Sequence, residues 1–354
     1  MKTLLRLLLK SQHQKNRSGS VQAEKGMTLV ELLVGAIMAF LIITPMLGFV
    51  VDMLNTDRRE QVKSNTEQDI QAAVDFISQD LSQAIYTYDQ AGITAINSTP
   101  TKLPPAPANT TGTPILVFWK RQQIKNSVPV NAILTPKPSS CNSDALAGEA
   151  GECNDTYVLS LVAYYQIKDP PNPNPATWCQ PSGGTCPTRI ARYEIREPVR
   201  NPYTTDATKP YYEAADLSAG QKGSDAFNKD FDLSKPTVNV TTGAIFPDPQ
   251  VLVNYIDHSS TNVPIPTGVQ CQTLLAVTPP PAPLTFNAND LLITDGSTHS
   301  FYACVDKTRN LARVTIRGNS LRRLQANDAE FKTTSSAYFP TAIVQVQGFG
   351  GLGK

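Results

Sequence analysis

The sequence predicts an α+β fold. A long N-terminal helix, membrane-spanning in its first part and amphipathic in its second, packs on a mostly antiparallel β-sheet with long proline-rich loop insertions. Three observations predict it. From Met27 to Val51 the only charge is Glu31. A helical stripe of apolar positions follows directly. Beyond that lie short β-branched and aromatic runs with no helical stretch of crossover length between them, which points to antiparallel connections.

Taken in order, residues 1–26 carry Lys2, Arg6, Lys10, Lys15, Arg17 and Lys25 against Glu24 alone. This basic leader belongs on the cytoplasmic side by the positive-inside rule. Arg6 interrupts its leucine cluster, and no small-residue cleavage site of the secretory kind follows. Without the leader the chain holds more Asp and Glu than Lys and Arg, and it has no basic stripe of the kind nucleic-acid binding needs.

The run 27–51 is long enough, at about 1.5 Å per residue, to cross a hydrocarbon core of about 30 Å. A carboxylate inside such a helix is costly, about 2.5 to 3.5 kcal/mol at the bilayer centre, so Glu31 calls for a partner or a job. One partner would be a new α-amino group, if the chain is cut between Gly26 and Met27. The alternative is a carboxylate favoured only by a helix N-terminus. Pro45 removes one backbone hydrogen bond and is expected to bend or loosen the helix.

From residue 52 to 91 the stripe Val62, Thr66, Ile70, Ala73, Ile77, Leu81, Ile85 and Tyr88 recurs every three or four residues, an amphipathic face made to pack on a sheet. Gly92 and the Pro/Thr/Asn-rich run after Ser98 end it. Unbroken to Tyr88, the helix would be on the order of 90 Å long. Residues 92–354 then form an exported β-rich domain. Its predicted strands are Ile115–Trp119, Tyr157–Ile167, Arg189–Arg196, Val251–Ile256, Gln272–Val277, Ser300–Val305, Leu311–Ile316 and Ala342–Val346. Pro170–Pro175, Asn201–Asp248 and Pro279–Pro283 are insertions too long for plain connections.

Six cysteines, Cys141, Cys153, Cys179, Cys186, Cys271 and Cys304, all follow the apolar run, and an even number there favours disulfides in an oxidising compartment. Fifteen pairings are possible for six cysteines. Short loops close at least entropic cost, which favours Cys141 with Cys153, Cys179 with Cys186, and Cys271 with Cys304. Zinc is the weaker reading, since no Cys-x-x-Cys spacing occurs.

Signs of catalysis are few, and no catalytic residue, cofactor or metal site is assigned. His258 and His299 lie beside no nucleophile motif. Asp290, Asp295, Asp306 and Asn310 offer oxygen ligands in a spacing that fits no EF-hand loop and read better as solvated loop residues. Gly348–Lys354 matches a glycine-rich phosphate motif in letters, without the following helix such a motif needs.

Lys25-Gly26 followed by Met27-Thr28-Leu29-Val30-Glu31-Leu32-Leu33 resembles the processing site of type IV prepilins. The resemblance implies that a prepilin peptidase cuts after Gly26 and methylates Met27. It also implies that Glu31 neutralises the amine of a neighbouring subunit during helix-on-helix assembly, and that the fold is pilin-like. Met27 stands where phenylalanine is usual, and Pro45 comes earlier than in major pilins, which favours a minor pilin or pseudopilin. The order of helix, Phe118-Trp119-Lys120, Tyr164-Tyr165 and Arg192-Tyr193-Glu194 is similar to the PilW and GspJ group. The run Asn55–Gln61 with Glu67–Ala73 most resembles the pseudopilins of cyanobacterial hormogonium polysaccharide secretion.

The implied function is a non-enzymatic, single-pass inner-membrane subunit of a type IV pilus-like or secretion apparatus, supporting polysaccharide secretion and gliding motility. Its exported domain would be periplasmic or extracellular, and its partners would be the peptidase, the membrane and other pilins. The alternative is a membrane-anchored adhesive or carbohydrate-binding domain, for which Trp119, Trp178, Tyr211 and Tyr212 are the spare aromatics.

Overall fold

A computed structural model of the chain describes residues 28–97, 103–130, 137–142, 144–146, 149, 151–170, 177–228, 245–264, 266–281 and 285–349. The chain divides into two compact units, residues 1–58 and 59–354. Helix α1, Leu29–Ser82, contributes to both.

In the first unit α1 is apolar and exposed along its length: Leu29, Phe40, Ile42, Phe49 and Leu54 all face outward. By length and composition this helix can cross a membrane. Pro45 sits inside it. Beside the proline, the Thr44 hydroxyl donates to the Phe40 carbonyl at 2.8 Å, so that side chain's polar group is satisfied within the helix.

In the second unit α1 buries Thr66, Ile70, Ala73, Val74, Ile77, Asp80 and Leu81, the spacing of one helical face. The helix stops at Ser82, earlier than the sequence predicts. Ile85 lies in strand β1, Ala84–Thr87, and Tyr88 follows it. The stripe continues numerically through both, but the Arg121 N–H donates to the Gln83 carbonyl and the Tyr88 N–H to the Val117 carbonyl. Pairing with a neighbouring strand has overridden the helical period. A short helix α2, Gln90–Asn97, comes next, with Gly92 inside it.

The strands form two antiparallel sheets where one was expected. The first has the order β1-β2-β3-β4-β5, with β2 at Thr111–Pro129, β3 at Cys153–Lys168, β4 at Thr188–Arg196 and β5 at Gln250–Ile256. The second has the order β6-β7-β8-β9, comprising Leu292–Thr294, Phe301–Asp306, Leu311–Arg317 and Thr341–Gln347. Predicted strand Gln272–Val277 is instead the end of helix α3, Gly268–Leu274, and its exit. Thr267 and Gln270 cap that helix reciprocally, and the capping box decides the conformation of an otherwise β-like run.

One core joins the parts of this unit. Ile70, Ile77 and Leu81 of α1 share it with Phe118 and Tyr164 of the first sheet and Val314 of the second. Each such large apolar side chain contributes about 1.5 to 3 kcal/mol when fully buried. The sheets meet where Ile256 bridges Gly318, with Arg317 Nε 2.8 Å from the fully buried Asp257 carboxylate. A Cβ on Gly318 would come within 2.8 Å of the Thr66 methyl group. Only glycine lets the second sheet approach α1 this closely.

Candidate assembly site

The start of α1 is built by its own sequence. Thr28 precedes the first helical residue, and its hydroxyl accepts from the Glu31 N–H at 3.2 Å, so one otherwise orphaned donor is satisfied. Glu31 thereby falls in the first turn, where the helix dipole favours a carboxylate. It is exposed, and among the described residues it makes no ion pair. Gly26 and Met27, the processing pair, lie outside the described residues.

A second carboxylate on the same helix is treated oppositely. Asp80 takes Lys120 Nζ from β2 at 2.8 Å, the Tyr164 hydroxyl from β3 at 2.7 Å and Arg192 Nε from β4 at 2.7 Å. Arg192 also reaches Glu194 at 2.7 Å. Burial pushes the Asp80 carboxyl up, but Arg192 and then Lys120 outweigh it and hold it below the ordinary carboxylate value. Burial and the adjacent Asp80 push the Tyr164 hydroxyl well above its usual range. The node fastens α1 to three strands of the first sheet. The sequence reading missed it, although Asp80 stands between Ile77 and Leu81 on the apolar face and Lys120 ends the run Ile115–Trp119.

No family model, curated protein or solved structure matches this chain.

The cysteines join as Cys141–Cys153, Cys179–Cys186 and Cys271–Cys304. The Cys179–Cys186 loop wraps Arg322, which is fully buried and donates to the carbonyls of Thr185, Pro181 and Gly183 at 2.8 to 3.0 Å. Cys271–Cys304 ties α3 to β7 beside a cleft of about 430 Å³ lined by Val269, Leu274 and Tyr302.

The other residues singled out from sequence do not converge. Asp295 accepts from Lys168 at 2.5 Å and from Ser297 and Thr298. Asp306 holds Thr308 and Arg309, and Asn310 holds Thr87 and the Ala84 carbonyl. Asp290 is taken up by Asn287. Each closes its own turn or edge, and among the described residues no group of acids, histidines and cysteines could hold a metal. His299 meets Thr294 at 3.0 Å, and burial pushes both its imidazole and that of His258 below their usual value. Of the spare aromatics, Trp119 and Tyr211 are buried in the core while Trp178 is 39% exposed.

Proposed function

We propose that this chain is a non-enzymatic minor pilin or pseudopilin. On this reading it is inserted in the inner membrane through α1, cut by prepilin peptidase between Gly26 and Met27, methylated there, and assembled helix on helix with other pilins in a type IV pilus-like or secretion apparatus. The exported domain would lie in the periplasm or beyond it, and polymer secretion and surface motility would be the processes served. The observation that carries the reading is the contrast along α1. The segment bearing the processing motif exposes an apolar surface and one carboxylate that makes no ion pair among the described residues, whereas the segment from Thr66 to Leu81 buries one face within the chain. A carboxylate among exposed apolar side chains suits a partner amine supplied by a neighbour.

The deciding experiment is intact mass of the mature protein from its native membrane. A chain beginning at Met27 with one added methyl group is expected. Retention of residues 1–26 overturns the processing and, with it, the assembly mechanism. The adhesive reading loses two of its four aromatics to the core.

A further inference from the structure

The insertion between β4 and β5 is too long for a plain connection, and its described part builds a cleft of about 350 Å³. Pro198, Tyr212 and Phe227 supply apolar lining, and Glu213, Lys222 and Asp225 supply charge. The walls are fixed to the domain. The Ser224 N–H donates to the Arg196 carbonyl at 2.8 Å, and the Ser224 hydroxyl accepts from the Arg196 N–H at 3.0 Å. A Cβ on Gly223 would come within 2.3 Å of the Pro198 nitrogen, so only glycine lets these two segments touch. Phe227 stands edge-on to Trp119 of the core. A site with preset walls loses little freedom when a ligand enters.

The groups left to a ligand are of two kinds. Glu213, Lys222 and Asp225 are exposed and make no ion pair among the described residues. The Tyr212 hydroxyl is buried and has no hydrogen-bond partner among them. Burial pushes that hydroxyl up to about 12, so it keeps its proton. The backbone offers less. The N–H groups of Tyr212, Lys222, Ser224 and Phe227 donate to the carbonyls of Val199, Ser218, Arg196 and Ser224, and an extended peptide, which needs a row of free backbone groups, finds these taken.

The lining narrows the ligand further. Two carboxylates against one ammonium oppose a phosphate or other polyanion. A wholly apolar ligand would strip those charges of water and give nothing in return. A ring with C–H faces and a rim of hydroxyls meets both halves of the lining.

We infer that this cleft binds a pyranose unit of a neutral saccharide. The C–H face of the ring lies on Tyr212 and Pro198. Its hydroxyls donate to the Glu213 and Asp225 carboxylates, hydrogen bonds of the stronger, charge-assisted kind, and one of them accepts the Tyr212 proton. This gives the exported domain of the proposed secretion subunit a ligand class, and it rests on that reading only for the source of the saccharide.

The test uses the full chain, leader retained, in micelles of a detergent without a sugar headgroup. It does not depend on cleavage at Gly26, so saccharide binding and the intact-mass result fail independently. The probes are the methyl glycosides of glucose, galactose, mannose and xylose, titrated separately and read by saturation-transfer NMR. Saturable transfer to the ring C–H protons of at least one is expected. Glu213→Gln combined with Asp225→Asn should weaken it about tenfold or more. Tyr212→Phe should weaken it about fivefold or more and unfold no earlier than the parent, since the lost hydroxyl has no partner in the domain. Trp178→Ala, which removes an exposed aromatic outside the cleft, should bind like the parent, and inorganic phosphate should displace nothing. No saturable transfer from any of the four, parent-like binding by the double carboxylate variant or by Tyr212→Phe, loss of binding in Trp178→Ala, or displacement by phosphate overturns the inference.

Discussion

Asp80 and Glu31 are carboxylates on one helix, and the chain gives them opposite surroundings. Asp80 sits among three donors from three strands, while the Glu31 carboxylate has no ion pair among the described residues and only the Glu31 backbone N–H is held, by the Thr28 hydroxyl. A buried charge with its partners in place fixes how a helix sits on a sheet. On the proposed reading, a charge without a partner among the described residues, set among exposed apolar side chains, is paired by a neighbouring subunit. The difference separates the part of α1 that packs on a sheet from the part whose apolar surface is exposed.

The sharpest way to break this comparison is Asp80→Ala, which leaves Lys120 and Arg192 buried without their carboxylate. A loss of about 3 to 5 kcal/mol is expected in denaturant unfolding; a loss under about 1 kcal/mol would reduce Asp80 to an ordinary surface residue. Next in size is removal of the Cys271–Cys304 bridge as a pair of serines. It is expected to cost about 2 to 4 kcal/mol and to loosen the second unit by near-ultraviolet circular dichroism, while the helical signal of the apolar part of α1 persists.

The node also predicts an acid limit. Because Asp80 and Glu194 titrate below their ordinary values in the folded chain, their contribution is complete above the unfolded value of about 4 and is lost as pH falls through the lower folded values. Unfolding midpoints measured downward from pH 6 should therefore drop below about pH 4 in the parent, and drop less in Asp80→Asn.

The smallest expected effect on stability comes from Glu31→Ala, within about 0.5 kcal/mol, together with a clear fall in the amount recovered in sheared filaments. Equal recovery would return Glu31 to a dipole-favoured residue of the first turn.

The large features were legible because they rest on patterns that tertiary structure rarely overrides. The apolar run 29–51 is one helix, its continuation buries every fourth or third residue, and seven of the eight predicted strands lie within strands or overlap them. The failures have physical causes. Ile85 and Tyr88 kept the helical count while backbone bonds to the 117–121 segment drew them into the first sheet. Gln272–Val277 looked like a strand because of its apolar content, yet Thr267 and Gln270, five and two residues upstream of Gln272, already spelled a helix start. The division into two sheets had no local signature, since it depends on which distant strands pair. Asp80 could have been found by asking why an acid interrupts an apolar face.

Arg322 has a consequence in time as well as in space. Its guanidinium is held by carbonyls of the Cys179–Cys186 loop, and Thr185 precedes it by 137 residues. A chain made and delivered from its N-terminus presents that loop long before the arginine that fills it. Until the segment bearing Arg322 follows, those carbonyls lack the guanidinium that holds them in the folded domain. The order of synthesis thus makes Arg322 a late-arriving partner of a loop made early.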